Sequence, residues 1–211
     1  VANPADSITD INAADYYGVV SLGQLPPQVS YANVQGTDFY GVQDMDAATA
    51  PAARVTLNWT GINITNFNNL NLSFFVAEDD DGVLQDWDAT DSFMIESQIN
   101  GGGFTNLFAI ESEDSGGSQT NRVPRVDTDF DGIGDGAEIT DVFAQFNAPI
   151  GNGMVLDLRV TFTGLNQAEE DLALDSFLLT GIAIPEPSTF GLLATCGLFV
   201  VCRSGRKKRR S

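Results

Sequence analysis

The 211-residue chain contains no histidine. That absence excludes Ser-His-Asp and Cys-His catalysis and the usual histidine zinc sites, each of which depends on an imidazole. Cysteine is almost as scarce. Cys196 and Cys202 both fall in or at the edge of an apolar run near the C-terminus, so no disulfide braces the remainder. A body of about 180 residues can bury a full core without such staples. Lysine is missing from residues 1–187, where Arg54, Arg122, Arg125 and Arg159 oppose 29 acidic residues, a net charge of −25. A surface of that sign repels nucleic acid and anionic lipid and attracts divalent cations. Nucleic-acid function is excluded on this ground.

What is present reads as strands separated by Gly, Asn and Asp turns. In "RVTLNW" Val55, Leu57 and Trp59 share one face, and in "LNLSFFVA" Leu70, Leu72, Phe74 and Val76 do the same. "MVLDLRVTF" alternates most cleanly, with Leu156, Leu158, Val160 and Phe162 inward and Asp157, Arg159 and Thr161 outward. "FMIESQI" and "FTNLFAI" flank Asn100-Gly101-Gly102-Gly103, a hairpin with a four-residue loop. "VSYANV" and "TDFYGV" are further strand candidates, and "LALDSFLL" closes the domain before Gly181. In "EITDVFAQF" the positions Ile139, Val142, Phe143 and Phe146 have helical spacing, yet the β-rich neighbourhood favours a strand. About eight or nine strands suit an all-β fold, a jelly-roll-like two-sheet sandwich. Residues 13–181 form this domain. Residues 1–12 carry no convincing period and read as a linker.

Carboxylates are the most abundant chemistry on the chain. "DTDFDGIGDGAE" matches the twelve-residue calcium loop D-x-D-x-D-G-x5-E: Asp127, Asp129 and Asp131 alternate, Gly132 permits the turn, Ile133 offers a carbonyl, and Asp135 and Glu138 follow. Pro124 and Val126 argue against an entering helix, so the loop reads as grafted between strands; a solvated acidic turn is the alternative. "EDDDGVLQDWDATD" gathers seven more acids beside Trp87, either a second calcium site with a sugar-stacking platform or a charged loop. Asp175 shares an apolar face with Phe177 and Leu179, where an unpaired carboxylate is costly. A structural calcium bridging it to Asp44, Asp46 or Glu170-Asp171 accounts for it, and so does a hydrogen bond from backbone amides.

The last segment, residues 182–211, has a different character. Pro185-Glu186-Pro187 is a stiff, non-helical tripeptide, residues 190–202 are apolar and uncharged, and Arg203, Arg206, Lys207, Lys208, Arg209 and Arg210 form a basic block. An apolar segment ending in clustered Arg and Lys inserts with the basic end cytoplasmic. Thirteen helical residues reach only about 20 Å, against a hydrocarbon core of roughly 30 Å. So short a transmembrane helix suits a segment held briefly and then processed. Residues 185–210 resemble the PEP-CTERM sorting signal. The resemblance implies an exosortase-type membrane protease as partner, passage through the inner membrane of a Gram-negative-type envelope, and delivery to the cell surface or extracellular matrix. An exported protein needs a leader, and none is visible after Val1. Residues 13–181 resemble the jelly-roll modules of bacterial secreted and surface proteins, on "FYGVQDMD", "INGGGF", "DTDFDGIGDG" and "LALDSF".

Together these features read as an exported, non-enzymatic β-sandwich with calcium as a stabilising ligand and no assigned catalytic residue. Its more specific form is carbohydrate binding, with a polysaccharide partner held by exposed Trp and Tyr. The alternative is a glycosidase with paired carboxylates.

Overall fold

The structure is a computed structural model and describes residues 7–10, 15–25, 29–48, 52–79, 87–114, 122–167 and 169–185. Among them are eleven strands: β1 Ser7–Asp10, β2 Asp15–Ser21, β3 Asp38–Gln43, β4 Arg54–Asn63, β5 Phe67–Ala77, β6 Ser92–Ile99, β7 Thr105–Ser112, β8 Pro124–Val126, β9 Ala144–Ile150, β10 Val155–Thr163 and β11 Asp171–Ala183. They form two antiparallel sheets, one ordered β1-β2-β3-β11-β5-β9 and the other β4-β10-β6-β7-β8. The fold is an all-β sandwich. Among the described residues no helix is long and apolar enough to cross a membrane. Glu186, Pro187, the apolar run and the basic block lie outside the described residues, so the expected transmembrane helix does too.

The main core follows the alternation in the strands. Leu70, Leu72, Phe74 and Val76 of β5 are buried with Leu156, Leu158, Val160 and Phe162 of β10. Val55 and Leu57 of β4 join them, as do Phe93 and Ile95 of β6. Each such side chain contributes about 1.5–3 kcal/mol when removed from water. The hairpin between β6 and β7 is present, with Asn100 and Gly101 both at positive φ, as a tight two-way turn of this hand requires.

A second cluster lies on the other face of the six-stranded sheet. Tyr16, Val20, Phe39 and Ala173 point away from the main core and are covered by Val29, Tyr31 and Phe143. Tyr31 packs edge-on against Phe39, with ring centroids 5.2 Å apart. Burial on both faces explains why β3 reads as an almost unbroken buried run rather than an alternating one.

This second cluster corrects several expectations. "VSYANV" is not a strand: its one ladder contact is an isolated bridge between Ala32 and Val142, and its role is to cover the sheet. The helical spacing in "EITDVFAQF" has the same origin. Ile139 enters the main core and Phe143 the second cluster, so one extended segment serves two cores before β9 begins at Ala144. The sheet also reaches beyond residues 13–181 at both ends. Ser7–Asp10 pairs with β2 inside the stretch read as a linker, and β11 continues past Gly181 to Ala183. A four-residue edge strand is too short to show a period.

Candidate functional site

Among the described residues four places gather chemistry, and the acidic loop comes first. Asp127, buried at the end of β8, accepts hydrogen bonds from the backbone N–H of Asp129 (3.2 Å), Phe130 (2.7 Å) and Gly132 (2.9 Å). Gly132 has φ +89°, which permits the turn. The carboxylates of Asp127, Asp129 and Asp131 converge, each offering an oxygen within 4.8 Å of the others. Repulsion from Asp131 raises the pKa of Asp129. Asp135 does not turn inward. It accepts from the N–H and Oγ1 of Thr128, which hold its carboxyl below the usual range. Glu138 pairs with Arg125 at 2.9 Å, because the chain leaves the loop as an extended bridge beside β8 rather than as a helix. Ile133 stands exposed, its N–H on Asp131. Three of the expected ligands are therefore brought together, and Asp135 and Glu138 are engaged elsewhere.

The second place is a carboxylate cluster of half-buried Asp88 with buried Asp91 and Glu170, again within 4.8 Å of one another. Here the structure departs from the sequence reading, which placed Glu170 with Asp175. Asp91 accepts from Leu165 N–H (2.9 Å) and Asp88 N–H (2.5 Å), and Glu170 accepts from the amides of Asn166 and Gln167. Gly164 is required beside it, since a Cβ there would meet the Asp91 carboxylate and the backbone has φ +76°. Burial, aided by repulsion from Glu170 and opposed by the two amides, pushes the Asp91 carboxyl up to about 8. Burial also raises Glu170.

A pH dependence follows. An acid whose pKa is higher in the folded than in the unfolded chain destabilises the fold as pH rises between the two values, because only the folded form still holds the proton. For Asp91 that window runs from 3.8 to about 8. In chelator, the urea midpoint should fall between about pH 5 and about pH 8. Asp91→Asn should flatten the slope while lowering stability throughout, since its one oxygen can keep the Leu165 bond but the NH2 facing Asp88 N–H cannot accept. An unchanged slope would remove Asp91 as the cause.

Asp44 and Asp46 hydrogen-bond to each other, but Asp175 does not join them in a metal-holding group among the described residues. Asp175 is buried and its Oδ2 accepts from Gln35 N–H at 2.7 Å, the backbone alternative to a metal. Asp44, half-buried at φ 43°, is pushed up to about 6 by burial, a hydrogen bond with Asp46 and the charge of Asp15.

The aromatic platform is absent. Trp87 is fully buried, its Nε1 donating to Asp171 O at 3.2 Å, so it cannot stack on a sugar. All four tyrosines are buried as well. Trp59 is half-buried and stacks on Phe177 at 4.6 Å. It borders the third place, a small cleft of about 230 Å³ with Asp38 and Asp175 on its wall. The β11 bulge around Ser176, at φ 48°, turns Phe177 onto Trp59.

The fourth place was not foreseen. The solvent face of the five-stranded sheet carries a polar groove of about 460 Å³. Its floor is a lattice of three rows across β4, β10 and β6: Arg54–Thr163–Ser92, then Thr56–Thr161–Met94, then Asn58–Arg159–Glu96. Arg159 is fixed in place. It donates through Nε to Glu96 Oε2 at 2.7 Å and through Nη2 to Oε1 at 2.8 Å, and lies 3.9 Å over the Phe104 ring. The hydrogen bonds it donates to Glu96 hold its guanidinium still more firmly protonated. The outward alternation of β10 was legible in the sequence; its neighbours across the sheet were not.

No family model and no curated protein matches the chain. Solved structures with a similar fold include a Stig cyclase from Fischerella sp. TAU in complex with an indole compound (15% identity, 87% of this chain and 82% of that one, TM-score 0.45). The CBM35 from Paenibacillus barcinonensis is another (16%, 86% and 94%, TM-score 0.36). A third is TmCBM61 in complex with β-1,4-galactotriose (11%, 84% and 99%, TM-score 0.39). At these identities and TM-scores the likeness carries no argument about ligand or activity.

Proposed function

We propose that this protein is a non-enzymatic glycan-binding β-sandwich that holds its ligand in the polar groove of the five-stranded sheet. The observation that carries the reading is the three-by-three lattice. Hydroxyls from Thr56, Thr161, Thr163 and Ser92 both donate and accept, as sugar hydroxyls do, and an Arg–Glu pair at one end supplies oriented charge. Among the described residues Glu96 is the one carboxylate lining the groove, and both its oxygens are committed to Arg159. Glycoside hydrolysis needs two carboxylates with separate roles, so this groove suits retention of a glycan rather than its cleavage. The glycosidase alternative would use the small cleft where Asp38 and Asp175 stand beside Trp59.

Glycan-array binding with a parallel hydrolysis assay tests the reading. Thr161 lies at the centre of the lattice and points outward, so Thr161→Tyr fills the groove without entering the core. It should weaken binding at least about tenfold, or about 1.4 kcal/mol. Binding that survives Thr161→Tyr moves the site elsewhere. Hydrolysis abolished by Asp38→Asn would establish the enzyme instead.

The finer features are part of the same proposal. The sandwich is jelly-roll-like, a reading supported by the alternation of β3 to β6 between the two sheets. Calcium binds at Asp127, Asp129 and Asp131, supported by their convergence on a strongly acidic body. Export and sorting rest on the order of Pro185-Glu186-Pro187, apolar run and basic block, with an exosortase-type protease as partner at the inner membrane and the cell surface or matrix as destination.

A further inference from the structure

The groove stands apart from the rest of the surface in charge. The body has four arginines, and two of them, Arg54 and Arg159, line this one groove. The other two are occupied: Arg125 pairs with Glu113 and Glu138, and Arg122 is buried with its Nη1 on Glu113 O. Arg159 has one carboxylate partner and its Nη1 makes no hydrogen bond among the described residues. Arg54 is exposed and has no ion pair among the described residues. On a body of charge −25, a guanidinium with no ion pair among the described residues is out of keeping with its surroundings. Any of the many carboxylates could have neutralised it.

We propose that the groove selects acidic sugars, and that Arg54 is the residue that receives the uronate carboxylate. The inference rests on the glycan-binding reading and names its ligand class. Arg54 and Arg159 occupy the first and third rows, four residues apart along the strands, or about 13 Å. They therefore contact two units along a chain rather than one carboxylate together. The hydroxyl rows between them meet the neutral part of the polymer. A planar guanidinium takes a carboxylate in a bidentate pair, which gives direction as well as charge. The overall negative charge does not forbid this. Exposed charges beyond about 8 Å are largely screened at physiological salt, so the two arginines govern the encounter together with Glu96, bound to Arg159, and Asp157, two residues along the outward face of β10 and accepting from Gly61 N–H.

The test uses short oligogalacturonates and their methyl esters, which share a backbone and differ in charge. Binding to the purified full chain is measured by calorimetry at matched ionic strength, in chelator and again with calcium. The free acid should bind at least about tenfold more tightly than the ester in chelator, and the ratio should shrink as salt rises. Arg54→Gln should bring the ratio close to one, and Arg54→Lys should restore part of it. Equal binding of acid and ester overturns the acidic-sugar inference while the glycan-binding reading stands. A preference that appears only with calcium, or that survives Arg54→Gln, overturns the role of Arg54. Competition by poly-glutamate as effective as that of the uronate shows a groove that reads charge alone, and the sugar assignment falls. If neither oligomer binds and the glycan array is also blank, both readings fail.

Discussion

Changing Pro185-Glu186-Pro187 to three alanines should leave a full-length precursor in the membrane fraction of a host with the cognate exosortase, while the unaltered protein is released. β11 ends at Ala183, and Ile184 N–H still bonds to Asn66 O at 2.8 Å, so the tripeptide begins directly where the sheet lets go. Proline fixes φ and lacks a backbone donor, so the two prolines of the tripeptide disfavour a helix running through it. Alanine is the best helix former, so in the proposed sorting role the substitution favours a helix running through the tripeptide, which would bury the peptide bonds a protease must reach. Pro185 is exposed, so the folded body should keep its melting temperature. Membrane fractionation with a C-terminal and a body-directed antibody reads the outcome. Equal release of both proteins would rule out a sorting role for the tripeptide.

Calcium should raise the melting temperature of the chain, and the rise should be lost when Asp129→Ala and Asp131→Ala are combined. The three carboxylates of the loop repel one another, as the raised pKa of Asp129 shows, and a divalent cation turns that repulsion into coordination. A ligand that binds only the folded chain stabilises it by RT ln(1 + [L]/Kd). At about 5 mM calcium and a Kd of about 0.5 mM the gain is about 1.4 kcal/mol. For a domain of this size that amounts to a rise of roughly 3–6 °C.

Asp129 and Asp131 are the residues to change because both are exposed. Asp127 holds three backbone amides of the loop, so its loss would confuse binding with folding. Magnesium at equal ionic strength separates the site from general screening. A full calcium-specific rise in the double variant would overturn the loop as the site. If Asp88→Asn then abolished the rise, the cluster with Asp91 and Glu170 would be the site instead.

How much of this was legible in the sequence depended on the range of the interaction. The period-two alternation of β4, β5 and β10 is a local consequence of strands with one face in the core, and Leu57, Leu72 and Val160 point where that rule puts them. The convergence of Asp127, Asp129 and Asp131 is local too, since alternate residues of one tight loop can face a common centre. So is the succession of stiff tripeptide, apolar run and basic block, which carries the proposed address without any tertiary contact.

Tertiary structure decided the rest. Trp87 was read as a platform because it stands among charged residues, yet packing buries it against Asp171. Glu138 fitted the calcium spacing but found Arg125 across the chain. Asp91 and Glu170 lie far apart in sequence and meet only when the strand ends are assembled. The groove is the strongest case. Arg54, Thr161 and Glu96 belong to three strands with no shared pattern, and only the register of β4, β10 and β6 makes them neighbours. A sequence specifies which side of its own strand a residue takes. The hydrogen-bond register between strands, set by the whole core, specifies which residues stand beside it.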